Sequence, residues 1–296
     1  MGTVCILTPE RLGELFGERP RVCHKGSFGT VGLLGGCIRY SGAAKLANLS
    51  LSALRAGCGV ARLAVPESLT QAVLPYLLES TLYPMPTDGA GALAYDRKAS
   101  DGFLSGLRAL GVGMGWDENP AHLAYLKDCL SRQDLTCVVD AGGLNALAGA
   151  PEVLAESRAH VVVTPHPGEF SRLTGLSVPE ILADPRAAAE TYAQTWHCIV
   201  LLKGATTVVT DGESTYLVER GCAGMASGGS GDVLSGILTG IMGYLPPTPE
   251  TVAAGATLAG VAGEIAQEKN TDIAMVASDT VAALPESIRK LRRAEK

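Results

Sequence analysis

The stretch Gly228-Gly229-Ser230-Gly231-Asp232 runs directly into an apolar segment from Val233 to Leu245. Within that segment Val233, Leu234, Ile237, Leu238, Ile241, Met242 and Leu245 recur at helical spacing, so the glycines stand where a buried helix begins. Backbone N–H groups at such a start have no partner inside the helix. Small residues let an anion approach them, and the helix dipole favours negative charge there. A glycine-rich turn before a core helix accounts for the glycines but not for Asp232, because a bound anion repels a carboxylate that has no proton to take and no metal to hold. The combination points to phosphate chemistry. A serine-nucleophile elbow is excluded, since position 232 is Asp where that pattern requires Gly, and no G-x-x-x-x-G-K-[ST] loop is present.

Working outward, short apolar runs read as strands: Val31 to Leu34, Val60 to Val65, Ala109 to Val112, Cys137 to Val139, Val161 to Val163 and Cys198 to Leu202. Most lack period-two alternation, which predicts strands covered on both faces, with helices such as Ala43 to Ala56 and Ala187 to Trp196 between them. The expected architecture is an α/β layered fold with a mainly parallel sheet. Polar or glycine-rich segments follow four strands: Gly113 to Gly115, Asp140 to Asn145, Thr164 to Glu169, and Lys203 to Thr207. In open parallel sheets ligands bind outside the carboxyl ends of strands, so these segments are expected to share one cleft. Taken singly each has a plainer reading: Asp140 or Thr164 as a cap, and His166, between two prolines, as a rigid loop residue satisfied by the backbone. Tyr83 to Gly91, with two prolines, reads as the most loop-like stretch but is too short to mark a domain boundary, so residues 1–296 are read as one domain.

Composition removes several classes of function. The net charge is −6 with no cluster of Lys and Arg that would track a nucleic-acid backbone, which argues against a nucleic-acid partner. Met1 to Leu7 has no signal-peptide pattern and no segment reaches membrane-spanning length, so a cytoplasmic protein with no membrane partner is expected. Eight cysteines are scattered without a C-x-x-C pair and are read as reduced, small buried residues; five dispersed histidines predict no protein-built metal site.

Five segments, in order along the chain, resemble the ADP- or ATP-dependent NAD(P)H-hydrate dehydratases: His24 to Gly29, Tyr40 to Ala44, the TPHPGE run Thr164 to Glu169, the KGATT run Lys203 to Thr207, and Gly224 to Asp232. The motifs do not decide between ADP and ATP, and a short stand-alone chain without a targeting peptide leans toward the bacterial, ADP-using type. The resemblance implies a three-layer ribokinase-like fold and the nucleotide-dependent repair of hydrated NADH or NADPH in its S form. The nucleotide activates the ring hydroxyl; ADP would give AMP and phosphate. Asp232 would be the base, Gly229, Ser230 and Gly231 with Lys203, Gly204, Ala205, Thr206 and Thr207 would bind nucleotide, and Ala43, Gly113, His166 and Asp232 would face the hydrate. Asn145 and Glu169 would support these residues or hold magnesium-bound water, and magnesium is expected as charge neutraliser on the nucleotide phosphates. The resemblance also implies a homo-oligomer, a tetramer, and a separate epimerase in place of the fused amino-terminal domain of some relatives.

The chain departs from the family pattern at Gly142, where relatives carry a second Asp, at Cys37 for Ser, and at Val112 for Pro. Two other readings stay open on sequence alone: a kinase of a small alcohol or vitamin precursor on the same fold, and a catalytically silent nucleotide-binding regulator.

Overall fold

The structure, a computed structural model, describes residues 2–52 and 55–293, the side chains of residues 49–52 excepted. Among these residues the strands are β1 (Thr3–Cys5), β2 (Thr30–Leu34), β3 (Val60–Pro66), β4 (Thr81–Met85), β5 (Ala109–Val112), β6 (Thr136–Val139), β7 (His160–Val163), β8 (Ile199–Leu202), β9 (Thr207–Thr210) and β10 (Ser214–Val218). They form one sheet in the order β1-β10-β9-β8-β7-β6-β5-β2-β3-β4, and only β9 runs against its neighbours. All six strands expected from the apolar runs are present, and β2, β3, β5, β6, β7 and β8 are parallel.

Both faces of the sheet are covered, which is why the central strands lack alternation. Leu34, Val112, Val139, Val163 and Leu202 enter one core with Phe170 and Trp196. Leu33, Val138, Val162 and Leu201 enter a second, which takes Leu238 and Met242 from the helix Ser230–Ile241 and its carboxyl-terminal cap. A third cluster joins that helix to Pro249–Ala274 and Ala277–Arg293. The result is three layers with the glycine-led helix lying across β2, β5 and β6.

Three local expectations need adjusting. The loop-like stretch begins as strand: β4 pairs with β3 through Tyr83, Pro84 and Met85, and Pro84 is tolerated because β4 is the sheet edge, where a missing N–H costs no ladder bond. The expected helix Ala43 to Ala56 is helical over Ser41–Ser52, and its residues 53 and 54 lie outside the described residues. Of the eight cysteines Cys23 is exposed and Cys5 and Cys222 are only half-buried, so the buried reading holds for the other five.

The sheet reverses its winding at β2, which neighbours both β3 and β5, so the crevice that an open α/β sheet offers a ligand lies at the carboxyl ends of β2 and β5. Here the backbone leaves no room for a side chain. Gly113, directly after β5, has φ +107°, and a Cβ there would lie 2.3 Å from the Asp140 carbonyl oxygen and 2.3 Å from the Gly143 nitrogen. Its smallness therefore serves the close approach of two strand-end loops. Gly113→Ala should cost on the order of 2–4 kcal/mol through overpacking and backbone strain, lowering Tm by roughly 5–10 °C in a calorimetric melt. An unchanged Tm would mean that the two loops are free to separate.

Candidate active site

The helix Ser230–Ile241 begins at Gly229, whose φ of +97° favours glycine and whose added Cβ would lie 2.5 Å from Leu46 Cδ1. Ser230, Gly231 and Asp232 form the first turn, where N–H groups have no helical acceptor. The Ser230 hydroxyl is buried without a hydrogen-bond partner, a polar atom suited to a ligand oxygen. The apolar ladder below this turn fixes its orientation through Val233, Ile237, Leu238 and Ile241.

Two strand ends bring charge to this turn. Asp140 follows β6 and is 1% exposed, and Lys203 follows β8. The Lys203 ammonium donates to Asp140 Oδ1 at 2.8 Å, and the Ser235 hydroxyl, one turn along the glycine-led helix, donates to Asp140 Oδ2 at 2.7 Å. The Lys203 N–H also donates to the Pro165 carbonyl at 2.9 Å, which ties the loops after β7 and β8 together. A Cβ on Gly231 would lie 3.3 Å from Lys203 Nζ and 3.7 Å from Asp140 Oδ2, so turn, cation and carboxylate meet at one place.

Burial, and then the charge of Asp140, push the Asp232 carboxyl up to about 7, with Lys203 pulling the other way. Burial by itself would lower the Lys203 ammonium, but Asp140, Glu169 and Asp232 together outweigh it and hold it above its ordinary value. One ammonium thus faces three carboxylates.

His166 caps the helix Pro167–Thr174. Its Nδ1 accepts from the N–H groups of Gly168 at 3.0 Å and Glu169 at 3.3 Å, while Glu169 Oε2 accepts from the His166 N–H at 2.9 Å. With Nδ1 an acceptor, the neutral ring carries its proton on Nε2, and the side chain is about half exposed at 53%. The plain loop reading of His166 and a ligand-facing one therefore coexist. Gly204, Ala205 and Thr206 form an exposed turn, and Thr207 opens β9.

Beside these strand ends lies a groove of about 1250 Å³ lined by Tyr40, Trp116, His122, Asn145 and Arg172 among others. Asn145 Oδ1 accepts from Arg172 Nε at 3.0 Å, and Ala43 stands next to Gly115, whose added Cβ would lie 3.0 Å from Ala43 Cβ. Gly142 is explained here. A Cβ at 142 would meet Trp116 Cβ at 2.5 Å and its carbonyl oxygen at 2.6 Å, so no side chain fits at this position. Trp116 in turn stacks on His122 at 4.1 Å between ring centres, and burial pushes His122 down to about 4, which keeps it neutral.

The structure thus gathers Gly229, Ser230, Gly231, Asp232 and Lys203, places His166 and Glu169 at the adjoining strand end, and puts Asn145 in the groove. The segment His24 to Gly29 leads into the amino end of β2, whereas the residues gathered here follow the carboxyl ends of the strands. Sequence reasoning put Asp140 in a cleft segment but gave its side chain no role beyond a cap, and it missed Ser235 and the groove residues Trp116 and Arg172. Asp140 had a signal, an acid directly after a buried apolar strand; Ser235 had none beyond being a polar residue four along from Gly231. Among the described residues no group of three or more His, Cys, Asp and Glu is arranged to hold a metal, and no helix is long and apolar enough to cross a membrane.

A family model described as NAD(P)H-hydrate dehydratase matches residues 31–286. A bifunctional NAD(P)H-hydrate repair enzyme of Moorella thermoacetica is 38% identical over 273 residues, 90% of this chain and 51% of that protein, so the chain spans about half the length of such relatives. An ADP-dependent (S)-NAD(P)H-hydrate dehydratase of Cenarchaeum symbiosum is 35% identical over 94% of both chains. Among solved structures, the Bacillus subtilis ADP/ATP-dependent NAD(P)H-hydrate dehydratase co-crystallized with ATP/Mg2+ superposes with a TM-score of 0.81 at 28% identity, covering 96% of this chain and 97% of that one. A ribokinase-like superfamily protein of Enterococcus faecalis, 21% identical, shares the fold with a TM-score of 0.81, covering 97% of this chain and 96% of that one.

The raised Asp232 carboxyl has a consequence for stability. Its value of about 7 in the folded chain lies above the ordinary value of 3.8, so between these limits the folded state holds a proton that the unfolded state has lost. This contribution is full below the ordinary value and is lost as pH rises through about 7, a penalty on the wild type of up to about 4 kcal/mol above that pH. Asp232→Asn should therefore melt higher than the wild type at roughly pH 8, with the gap closing toward roughly pH 4. A gap independent of pH in calorimetric melts would contradict the assignment.

Proposed function

The chain belongs to the NAD(P)H-hydrate dehydratase family, and we propose that it dehydrates the S form of hydrated NADH or NADPH with an adenine nucleotide as phosphoryl donor, ADP giving AMP and phosphate. The observation that carries the reading is the Asp232 carboxyl, raised to about 7 in the first turn of a glycine-led helix and beside the Lys203 ammonium. A base with a proton affinity near neutrality is the kind that can both take a hydroxyl proton and release it.

In the first step Asp232 takes the proton of the ring hydroxyl as its oxygen attacks the terminal phosphorus of the nucleotide, forming the O–P bond and breaking the bond to the nucleotide's bridging oxygen. The N–H groups at Gly229 to Gly231 and the Lys203 ammonium meet the charge on the transferred phosphoryl. In the second step the ring carbon–oxygen bond breaks with loss of phosphate, a proton leaves the neighbouring ring carbon, and the ring double bond returns. The exposed turn Gly204 to Thr206 with Thr207 is assigned to the nucleotide, and Ala43, Gly113 and His166 to the dinucleotide, with His166 Nε2, which lies 3.6 Å from Glu169 Oε1, as the donor once Nδ1 is committed to its helix. Magnesium bound through the nucleotide's phosphates and water would supply charge neutralisation, and Glu169 and Asn145 are assigned to hold its water.

Purified protein with hydrated NADH and ADP should develop the absorbance of reduced nicotinamide. Asp232→Asn should lose on the order of a hundredfold or more in rate while binding ADP within a few-fold of wild type. A stable phosphorylated product would favour the kinase reading, and nucleotide binding without turnover the silent regulator.

His166 needs a more careful variant than truncation, since His166→Ala removes a helix cap at a cost of about 1 kcal/mol. His166→Asn keeps the cap. Both variants should raise KM for the hydrate and leave ADP binding intact in calorimetric titration, whereas full recovery of KM by Asn would reduce His166 to a capping residue.

A further inference from the structure

Asp232 has no hydrogen-bond partner for its carboxylate among the described residues, although an ammonium lies in the same cleft. Lys203 is instead engaged by Asp140, and the charge that Asp140 presents has its own support. One carboxylate oxygen takes the Lys203 ammonium and the other takes the Ser235 hydroxyl, so each has a partner and the group cannot turn without losing both. Ser235 is on the helix that presents the glycine turn, four residues from Gly231, so the cation is tied to the rigid element that carries the N–H groups. The exposed loop that follows Lys203 does not set its position. The residue after Asp140 is held just as firmly. Ala141 has φ 50° and ψ −116°, a conformation that costs a non-glycine residue on the order of 1–3 kcal/mol and persists only where the surroundings enforce it.

We propose that Asp140 is a positioning residue for the phosphoryl-transfer step: a strut anchored on Ser235 that holds the Lys203 ammonium at the mouth of the Gly229–Gly231 turn and away from Asp232. The inference rests on the dehydratase reading for its catalytic meaning, but the arrangement itself does not. The charged groups that face one another here are Asp140 from the end of β6, Glu169 from the helix Pro167–Thr174, Lys203 from the end of β8 and Asp232 from the glycine-led helix. Remove Asp140 and Asp232 is the carboxylate facing the ammonium that has no hydrogen-bond partner of its own, Glu169 being engaged by the His166 N–H. The base then acquires a counter-ion and loses a like-charged neighbour, and both changes lower its proton affinity.

The decisive measurement is a titration of the Asp232 carboxyl carbon by NMR in the protein without ligands, the signal being assigned by its absence from Asp232→Asn. In Asp140→Asn its midpoint should fall by at least about one pH unit. The acid limb of the kcat profile should move down with it, kcat should drop about 10- to 100-fold, and ADP affinity in calorimetric titration should stay within about threefold. Ser235→Ala, which removes one anchor and only a buried hydroxyl, should move the midpoint in the same direction by less. If Asp140→Asn merely lowers Tm while the Asp232 midpoint and kcat per folded molecule stay at wild type, the proposal is overturned. Should Asp140→Asn fail to fold, an unmoved midpoint in Ser235→Ala overturns it equally. A wild type without dehydratase turnover would remove the reaction but leave the NMR titration to decide the strut.

Discussion

Placing one ammonium among three carboxylates inside a cleft is the constraint on which the site is arranged. Lys203 is largely removed from water, and burial favours its neutral form, so its charge survives only because Asp140, Glu169 and Asp232 face it. The same carboxylates repel one another. Asp140 is relieved by Lys203 and Ser235, and Glu169 by the His166 N–H, which leaves Asp232 as the member that takes up a proton near neutral pH. The carboxyl that holds a proton is thus selected by what its neighbours have already claimed.

That arrangement requires the carboxyl ends of β5, β6, β7 and β8 to lie within reach of one helix start. The sheet supplies it through short apolar strands in parallel register, and the loops contribute by having almost no side chains where they touch. Gly113 leaves space for the backbone at Asp140 and Gly143, and Gly229 leaves space for Leu46. Gly142 belongs to the same pattern and leaves space for Trp116, whose stack on a neutral His122 closes that side of the groove.

The buried strands and the glycine-led helix were legible because burial on both faces leaves an unbroken apolar run and burial on one helical face leaves a 3.6-residue period. The strands β1, β4, β9 and β10 left no such trace. They lie at or near the sheet edges, where one face or one ladder is open, so polar residues and even Pro84 are accepted. The same limit applied to the site. Gly229 to Asp232 announced itself through composition, but Ser235 is one polar residue in an apolar helix, and its partner Asp140 lies 95 positions away.

The sequence by itself determined the layered α/β class, the place of the glycine turn, the acid beside it, and the set of strand ends from which a ligand site would be built. These are local properties, fixed by periodicity and by the identity of adjacent residues. Only the tertiary structure decided which acid keeps a proton, that His166 both caps a helix and presents Nε2, and that Gly142 yields to Trp116. Charge interaction and steric exclusion act through distances of a few ångströms between residues far apart along the chain, and folding sets those distances.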